Sequence, residues 1–311
     1  MSIDPSTLPS TPAILRVRGD DGSVRLAIWN GSLRDLSAAA DARLHSLDAL
    51  LTLSLAELRP AFEALQPAEL PEFKPETASL LAPVEGQEVW AAGVTYRRSR
   101  EARMEEAAAS DIYALVYEAA RPELFFKAAG WRVVAPHGEV GVRADSLWDV
   151  PEPELAVLSN RHGEVVAYAC GNDMSSRSIE GENPLYLPQA KVYDASCSLG
   201  PAAVLAWHVE PRSAHVDMTI TRGGSEIFKG RTSLDQMVRS PADLVGVMHA
   251  AYTLPTGAWL LTGTGIVPPS SYTARAGDDI TIAIDGVGTL QNRVRRIEHS
   301  GAAAPPRIES T

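Results

Sequence analysis

Cysteine is nearly absent from this 311-residue chain: Cys170 and Cys197 are the whole complement, without a C-x-x-C spacing. That excludes a disulfide scaffold and a thiolate zinc site. No apolar run approaches membrane-spanning length. The N-terminus, Met-Ser-Ile-Asp-Pro-Ser-Thr-Leu-Pro, has no basic stretch followed by an apolar core. No signal peptide is therefore expected and the cytoplasm is the default, which leaves the Asn30-Gly31-Ser32 sequon as a turn. Positive charge is also scarce. The 28 Lys and Arg stand against 39 Asp and Glu, a formal charge of -11. Nonspecific binding to nucleic acid or to an anionic membrane is disfavoured. An anionic substrate is still admissible, because a bound metal and nearby arginines reverse the sign locally. There is no Gly-x-Gly-x-x-Gly after a strand, no Gly-Lys-Ser/Thr phosphate loop, no Gly-x-Ser-x-Gly elbow and no His-Glu-x-x-His. Gly263-Thr264-Gly265 is too short for a phosphate loop and reads as a tight turn.

What the chain does have lies between Val150 and Lys191. Glu152 and Glu154, one residue apart on a stretch that reads as a strand, project to one face. Pro151 and Pro153 remove backbone donors at alternate positions, which places the pair at a strand edge or entry. Leu155 to Leu158 suits a buried strand. A second apolar run, Val165 to Cys170, leads to Asp173, and a hairpin would return that carboxylate to the first two. Three carboxylates on one patch need a positive charge among them. Hard oxygen donors suit Mg²⁺, Mn²⁺ or Ca²⁺ rather than zinc. Lys191 is a candidate for proton transfer beside such an ion.

The order of these residues resembles the fumarylacetoacetate hydrolase family. Glu152-x-Glu154-Leu-Ala-Val, Asn172-Asp173-x-Ser-x-Arg177 and Gln189-Ala190-Lys191 carry the likeness. So do Leu260-Leu-Thr-Gly-Thr264-Gly265 and the run Gly277 to Leu290, and the likeness covers about residues 85 to 297. It implies an α+β, mainly β fold, a mixed β-sandwich roll with a small N-terminal domain. It also implies that Glu152, Glu154 and Asp173 are metal ligands, Lys191 the active-site lysine, Thr264 a contact to a substrate carboxylate, and the particle a homodimer or homotetramer.

Along the chain, Ala13–Val17 and Val24–Trp29 read as a hairpin, and Leu33 to Leu65 as helix with Leu44, Leu47, Leu50 and Leu51 as its apolar stripe. Leu70 to Pro75 is linker-like. The expected division is an N-terminal α+β domain over 1–78, a catalytic domain over 79–300 and a tail over 301–311. Glu88–Val94 reads as the first strand of the catalytic domain, followed by a charged helix to about Ala108 and a second over Ile112–Ala119. The later strands expected are Trp148–Leu158, Val165–Ala169, Ala202–His208, His215–Arg222, Trp259–Thr262 and Ile280–Ile284. Ser240–Thr253 reads as a helix with a serine cap.

Hydrolases and decarboxylases of the family carry Asn-Tyr-x-x-His-x-x-Glu after the first strand, where the histidine activates water. Here the run is Thr95-Tyr96-Arg97-Arg98-Ser99-Arg100-Glu101-Ala102, with serine for the histidine and alanine for the glutamate. A metal, Lys191 and Glu123 remain, and they suit enolate chemistry on a 2-keto acid. Glu123, in Arg121-Pro-Glu-Leu-Phe-Phe-Lys127, and Lys191 divide the roles of base and acid in an order left open. Ser99 is a candidate contact to a substrate hydroxyl, and Arg98, with Arg97 and Arg100, to a hydroxyl or carboxylate. These runs resemble the family's sugar-acid dehydratase branch. The expected reaction is Mg²⁺-dependent loss of water from 2-keto-3-deoxy-D-arabinonate to give 2,5-dioxopentanoate. The alternative is carbon–carbon bond hydrolysis or decarboxylation of acylpyruvate-like substrates, with Glu101 or Glu106 recruiting water.

Overall fold

A computed structural model describes residues 2–96 and 119–298 of the chain. The helices expected between 97 and 119 lie outside the described residues, as do Arg98 and Ser99. The first seven strands are β1 (Ala13–Arg18), β2 (Val24–Trp29), β3 (Leu33–Asp35), β4 (Ser79–Leu81), β5 (Glu88–Gly93), β6 (Glu123–Ala129) and β7 (Glu139–Val142). Five more surround the carboxylates: β8 (Asp149–Val150), β9 (Pro153–Ser159), β10 (Val165–Asp173), β11 (Ser175–Ser176) and β12 (Cys197–Leu205). The last are β13 (His215–Arg222), β14 (Ser225–Ser233), β15 (Ala258–Leu261), β16 (Asp278–Ile284) and β17 (Gly288–Arg296).

Ten of them form one sheet in the order β3-β2-β1-β12-β10-β9-β15-β5-β6, with β4 also on β1. A second sheet runs β14-β13-β16-β17-β7, and β8 pairs with β11 alone. The fold is the mainly β architecture expected, and the strand alternation shows how its layers stack. Leu155 and Val157 of β9 share a core with Val216, Met218, Ile280 and Ile282 of the five-stranded sheet. Ala156 and Leu158 point the other way, into a core with Leu44, Leu47, Leu50 and Trp259. Every residue of β9 and β12 is buried, which explains the continuous apolar runs in their sequence.

The N-terminal hairpin forms in register from Ala13↔Trp29 to Arg18↔Val24. It is not a separate sheet: Ala13 pairs with Val204 and Ile14 with Ala203 of β12. Leu33–Leu65 is not one helix. Only α1 (Leu47–Leu50) and α2 (Leu55–Glu63) are α-helical there. The side chains of Asp35, Asp41 and Ser46 accept from the backbone N–H of Ser37, Arg43 and Ala49. Each such cap restarts the chain in a new turn, so local hydrogen bonding overrides the period. The apolar stripe is nonetheless buried throughout. Trp148–Leu158 is likewise two strands, broken at Pro151 and Glu152. The short helices α3 (Arg177–Glu182) and α4 (Leu187–Lys191) follow, and the serine-capped helix is α5 (Pro241–His249).

Both thiols sit in this core, fully buried, and burial pushes each up to about 12. At pH 8 neither is expected to react with a disulfide reagent such as DTNB until the protein is unfolded. One equivalent released from native protein would contradict this packing.

Candidate active site

The β9–β10 hairpin does what the spacing requires. Glu154 lies opposite Gly171 and Pro153 opposite Asn172. Just beyond the end of β9, Glu152 and Asp173 exchange backbone hydrogen bonds, 3.2 Å from Glu152 N to Asp173 O and 2.9 Å in return. Pro153 opens β9, a position where its missing N–H costs nothing. One ligand oxygen each from Glu152, Glu154 and Asp173 falls within 4.8 Å of the others, and all three residues are buried. Like charges that close repel by about 3 kcal/mol per pair even at an effective dielectric of about 20. Burial, then the charges of Asp173 and Glu152, push the Glu154 carboxyl well above its ordinary range.

Cations enter the cluster from three elements. Lys191, the last residue of α4, places Nζ 2.5 Å from Glu152 Oε2, 3.1 Å from Asp173 Oδ2 and 2.6 Å from Ser175 Oγ. Arg177, the first residue of α3, donates to Glu152 Oε1 at 2.8 Å. Lys127 of β6, fully buried, sits 2.5 Å from Asp173 Oδ1. A turn after β15 closes the far side. Gly263, at φ +90°, donates its N–H to Glu154 Oε2 at 2.6 Å, and a Cβ there would meet Thr95 Oγ1 at 2.1 Å. Only glycine supplies both the left-handed backbone and the close approach.

The three carboxylates, Arg177, Lys191 and Gly263 line one cleft with Glu123, Phe125, Glu180, Leu187 and Thr264. Glu123 is half-buried at the start of β6, opposite Gly93 of β5. Its carboxylate lies over that glycine, where an added Cβ would come within 1.9 Å of Oε2. Thr264 is buried, its Oγ1 accepting the Ile266 N–H at 3.1 Å. The structure thus brings together Glu123, Glu152, Glu154, Asp173, Lys191 and Thr264. Lys127, Arg177 and Glu180 escaped the sequence-based assignment of the site. Lys127 falls outside plain strand alternation, at the point where the pairing of β6 with β5 shifts register.

An all-oxygen donor set of three buried carboxylates fits a hard divalent cation and would not select zinc. The sandwich, with an acidic pocket that could hold a metal ion, defines an enzyme fold of the fumarylacetoacetate hydrolase type. Residues 89–295 match the fumarylacetoacetate (FAA) hydrolase C-terminal family, and the chain belongs to that family. A probable 2-keto-3-deoxyxylonate dehydratase of Haloferax volcanii is 51% identical over 216 residues, 69% of this chain and 74% of that protein. The 2-dehydro-3-deoxy-D-arabinonate dehydratase of Saccharolobus solfataricus is 37% identical over 233 residues, 73% of this chain and 78% of its own. A solved 2-keto-3-deoxy-D-arabinonate dehydratase complexed with magnesium and 2,5-dioxopentanoate superposes with a TM-score of 0.75 at 28% identity, covering 92% of this chain and 99% of that one.

If the triad holds the ion, Glu154→Gln weakens Mn²⁺ binding by about tenfold or more. Electron paramagnetic resonance of free Mn²⁺ during titration of the stripped protein measures this. An unaltered affinity would remove Glu154 from the metal site.

Proposed function

We propose that the protein is a metal-dependent hydro-lyase acting on a 2-keto-3-deoxy pentonate, with Mg²⁺ as its ion and 2,5-dioxopentanoate as product. The observation that carries the reaction is kinship with dehydratases at 51% and 37% identity. The triad supports a metal but fits every reaction of the fold equally. The two relatives are named for xylonate and arabinonate derivatives. D-xylonate and D-arabinonate differ only at C2 and C3, and the 2-keto and 3-deoxy changes erase both centres. In the D series the two names describe one acid, whose single stereocentre is C4.

Glu152, Glu154 and Asp173 hold the ion, which when bound polarises the carboxylate and keto oxygen of the substrate and acidifies C3. One of Lys191 and Glu123 takes the C3 proton, and the other protonates the departing C4 hydroxyl. One water leaves and a C3–C4 double bond forms. Moving one proton from C5 to C3, and one from the C5 oxygen to C4, gives the aldehyde. Phe125 and Leu187 line the same cleft and limit the water around these transfers. Thr264, Ser99 and Arg98 orient the substrate. A hydrolase acting on acylpyruvates is not favoured, since Ser99 and Ala102 stand where such enzymes carry the water-activating pair. A cytoplasmic homodimer or homotetramer completes the reading, on the family resemblance.

With Mg²⁺, the protein is expected to convert 2-keto-3-deoxy-D-pentonate to 2,5-dioxopentanoate, to stop on addition of EDTA, and to leave acetylpyruvate intact. Cleavage of acetylpyruvate without dehydration of the sugar acid would overturn the assignment. Gly93→Ala pushes the Glu123 carboxylate off its position, and kcat is expected to fall on the order of 100-fold. Wild-type turnover by this variant would show that Glu123 does not move protons in the reaction.

A further inference from the structure

Lys127 is the one fully buried lysine beside the triad that does not line the cleft, and the strand that carries it is irregular there. Along β5 and β6, Val89 pairs with Ala128 but Trp90 with Phe126, so Lys127 is the extra residue of a bulge. Bulges re-aim a side chain at the cost of a ladder position. This one sends an ammonium group inward, where it gathers three oxygens from two other elements. Lys127 Nζ lies 2.5 Å from Asp173 Oδ1, donates to the Met174 carbonyl at 3.0 Å and to the Lys191 carbonyl at 2.5 Å. Its remaining face looks onto the Tyr193 ring, 5.8 Å from the centroid.

The two oxygens of Asp173 are therefore divided. Oδ1 belongs to Lys127 and Oδ2 to Lys191. Lys191 sits among the ligand oxygens themselves, touching Glu152 and Asp173 on the side that faces the cleft. A divalent ion drawn to those oxygens competes with the Lys191 ammonium and cannot share their lone pairs with it. Lys127 approaches from behind and competes for nothing.

We infer that Lys127 is a positioning residue, resting on the reading of the triad as a metal site. It pins Asp173 with Oδ2 turned toward the ion, and it holds the Lys191 backbone in place while the Lys191 side chain swings from the carboxylates to the substrate. A charge acting only through space predicts the opposite sign, because deleting a neighbouring cation would tighten binding of a second one.

The test is Mn²⁺ affinity of stripped protein, read by electron paramagnetic resonance, for the wild type, Lys127→Met, Asp173→Asn and the double variant. Lys127→Met is expected to weaken Mn²⁺ binding about 10- to 100-fold, the usual effect of losing a ligand's outer partner. The double variant should bind no more weakly than Asp173→Asn, since residues acting as a unit are not additive. Unchanged or tighter binding by Lys127→Met, or additive losses, overturns the inference while leaving the metal site intact. Failure of the wild type to bind Mn²⁺ at all, or equal binding by Glu154→Gln, removes the underlying reading instead. Should Lys127→Met not fold, a structure of the Mn²⁺-loaded wild type decides. Lys127 Nζ must stay within hydrogen-bond distance of Asp173 Oδ1 and the Lys191 carbonyl, with Lys191 Nζ gone from Oδ2. A Lys127 displaced from Asp173 sinks the proposal.

Discussion

Three carboxylates cannot be buried within 4.8 Å of one another unless positive charge is buried with them, and much of this fold is arranged around that requirement. Lys127 reaches the cluster from β6, and Arg177 and Lys191 from the consecutive helices α3 and α4. Glu152 is fixed by two cations and Asp173 by two, while the Gly263 N–H holds Glu154. Glu154 alone among them contacts no cation in these pairings, and it is the carboxyl that burial pushes well up.

The hairpin β9–β10 is rigid for a reason visible at lower levels. Its strands sit at the middle of the ten-stranded sheet and are covered on both faces, by the five-stranded sheet and by the N-terminal leucines. A site on such strands is held more firmly than one on loops. The N-terminal segment contributes no side chain to the cleft, yet Leu44, Leu47 and Leu50 close the core beneath β9. Its packing backs the strands that carry the carboxylates.

Much of this was legible in the sequence because it depends on period. Two carboxylates one residue apart and a third after an apolar run give a geometric expectation whichever protein carries them, and the continuous apolar run Leu155–Leu158 reads as directly as a buried strand. The leucines of residues 44–51 were legible as core but not as broken helix, since Asp and Ser caps compete with helix continuation in a way periodicity does not see. Lys127 was harder. A lysine is usually solvated, and its burial depends on a bulge created by pairing β6 with β5 across a long insertion. Arg177 and Glu180 depend on the direction in which a six-residue helix enters the cleft, a tertiary property with no local signature.

The chemistry separates along the same line. The hairpin β9–β10 fixes the carboxylates and α4 brings Lys191 to them. The choice of reaction is proposed to lie with the segment after β5 and with Glu123 at the start of β6. A water-activating histidine and glutamate would make the same pocket deliver water to a carbonyl. Ser99 and Ala102 supply no base there, while Glu123 gains its place from the bare backbone at Gly93. On the proposed reading Lys191 and Glu123 trade protons over a polarised keto acid, an arrangement suited to expelling water. On that reading the direction in which water travels depends on residues outside the three buried carboxylates, which suit either reaction equally.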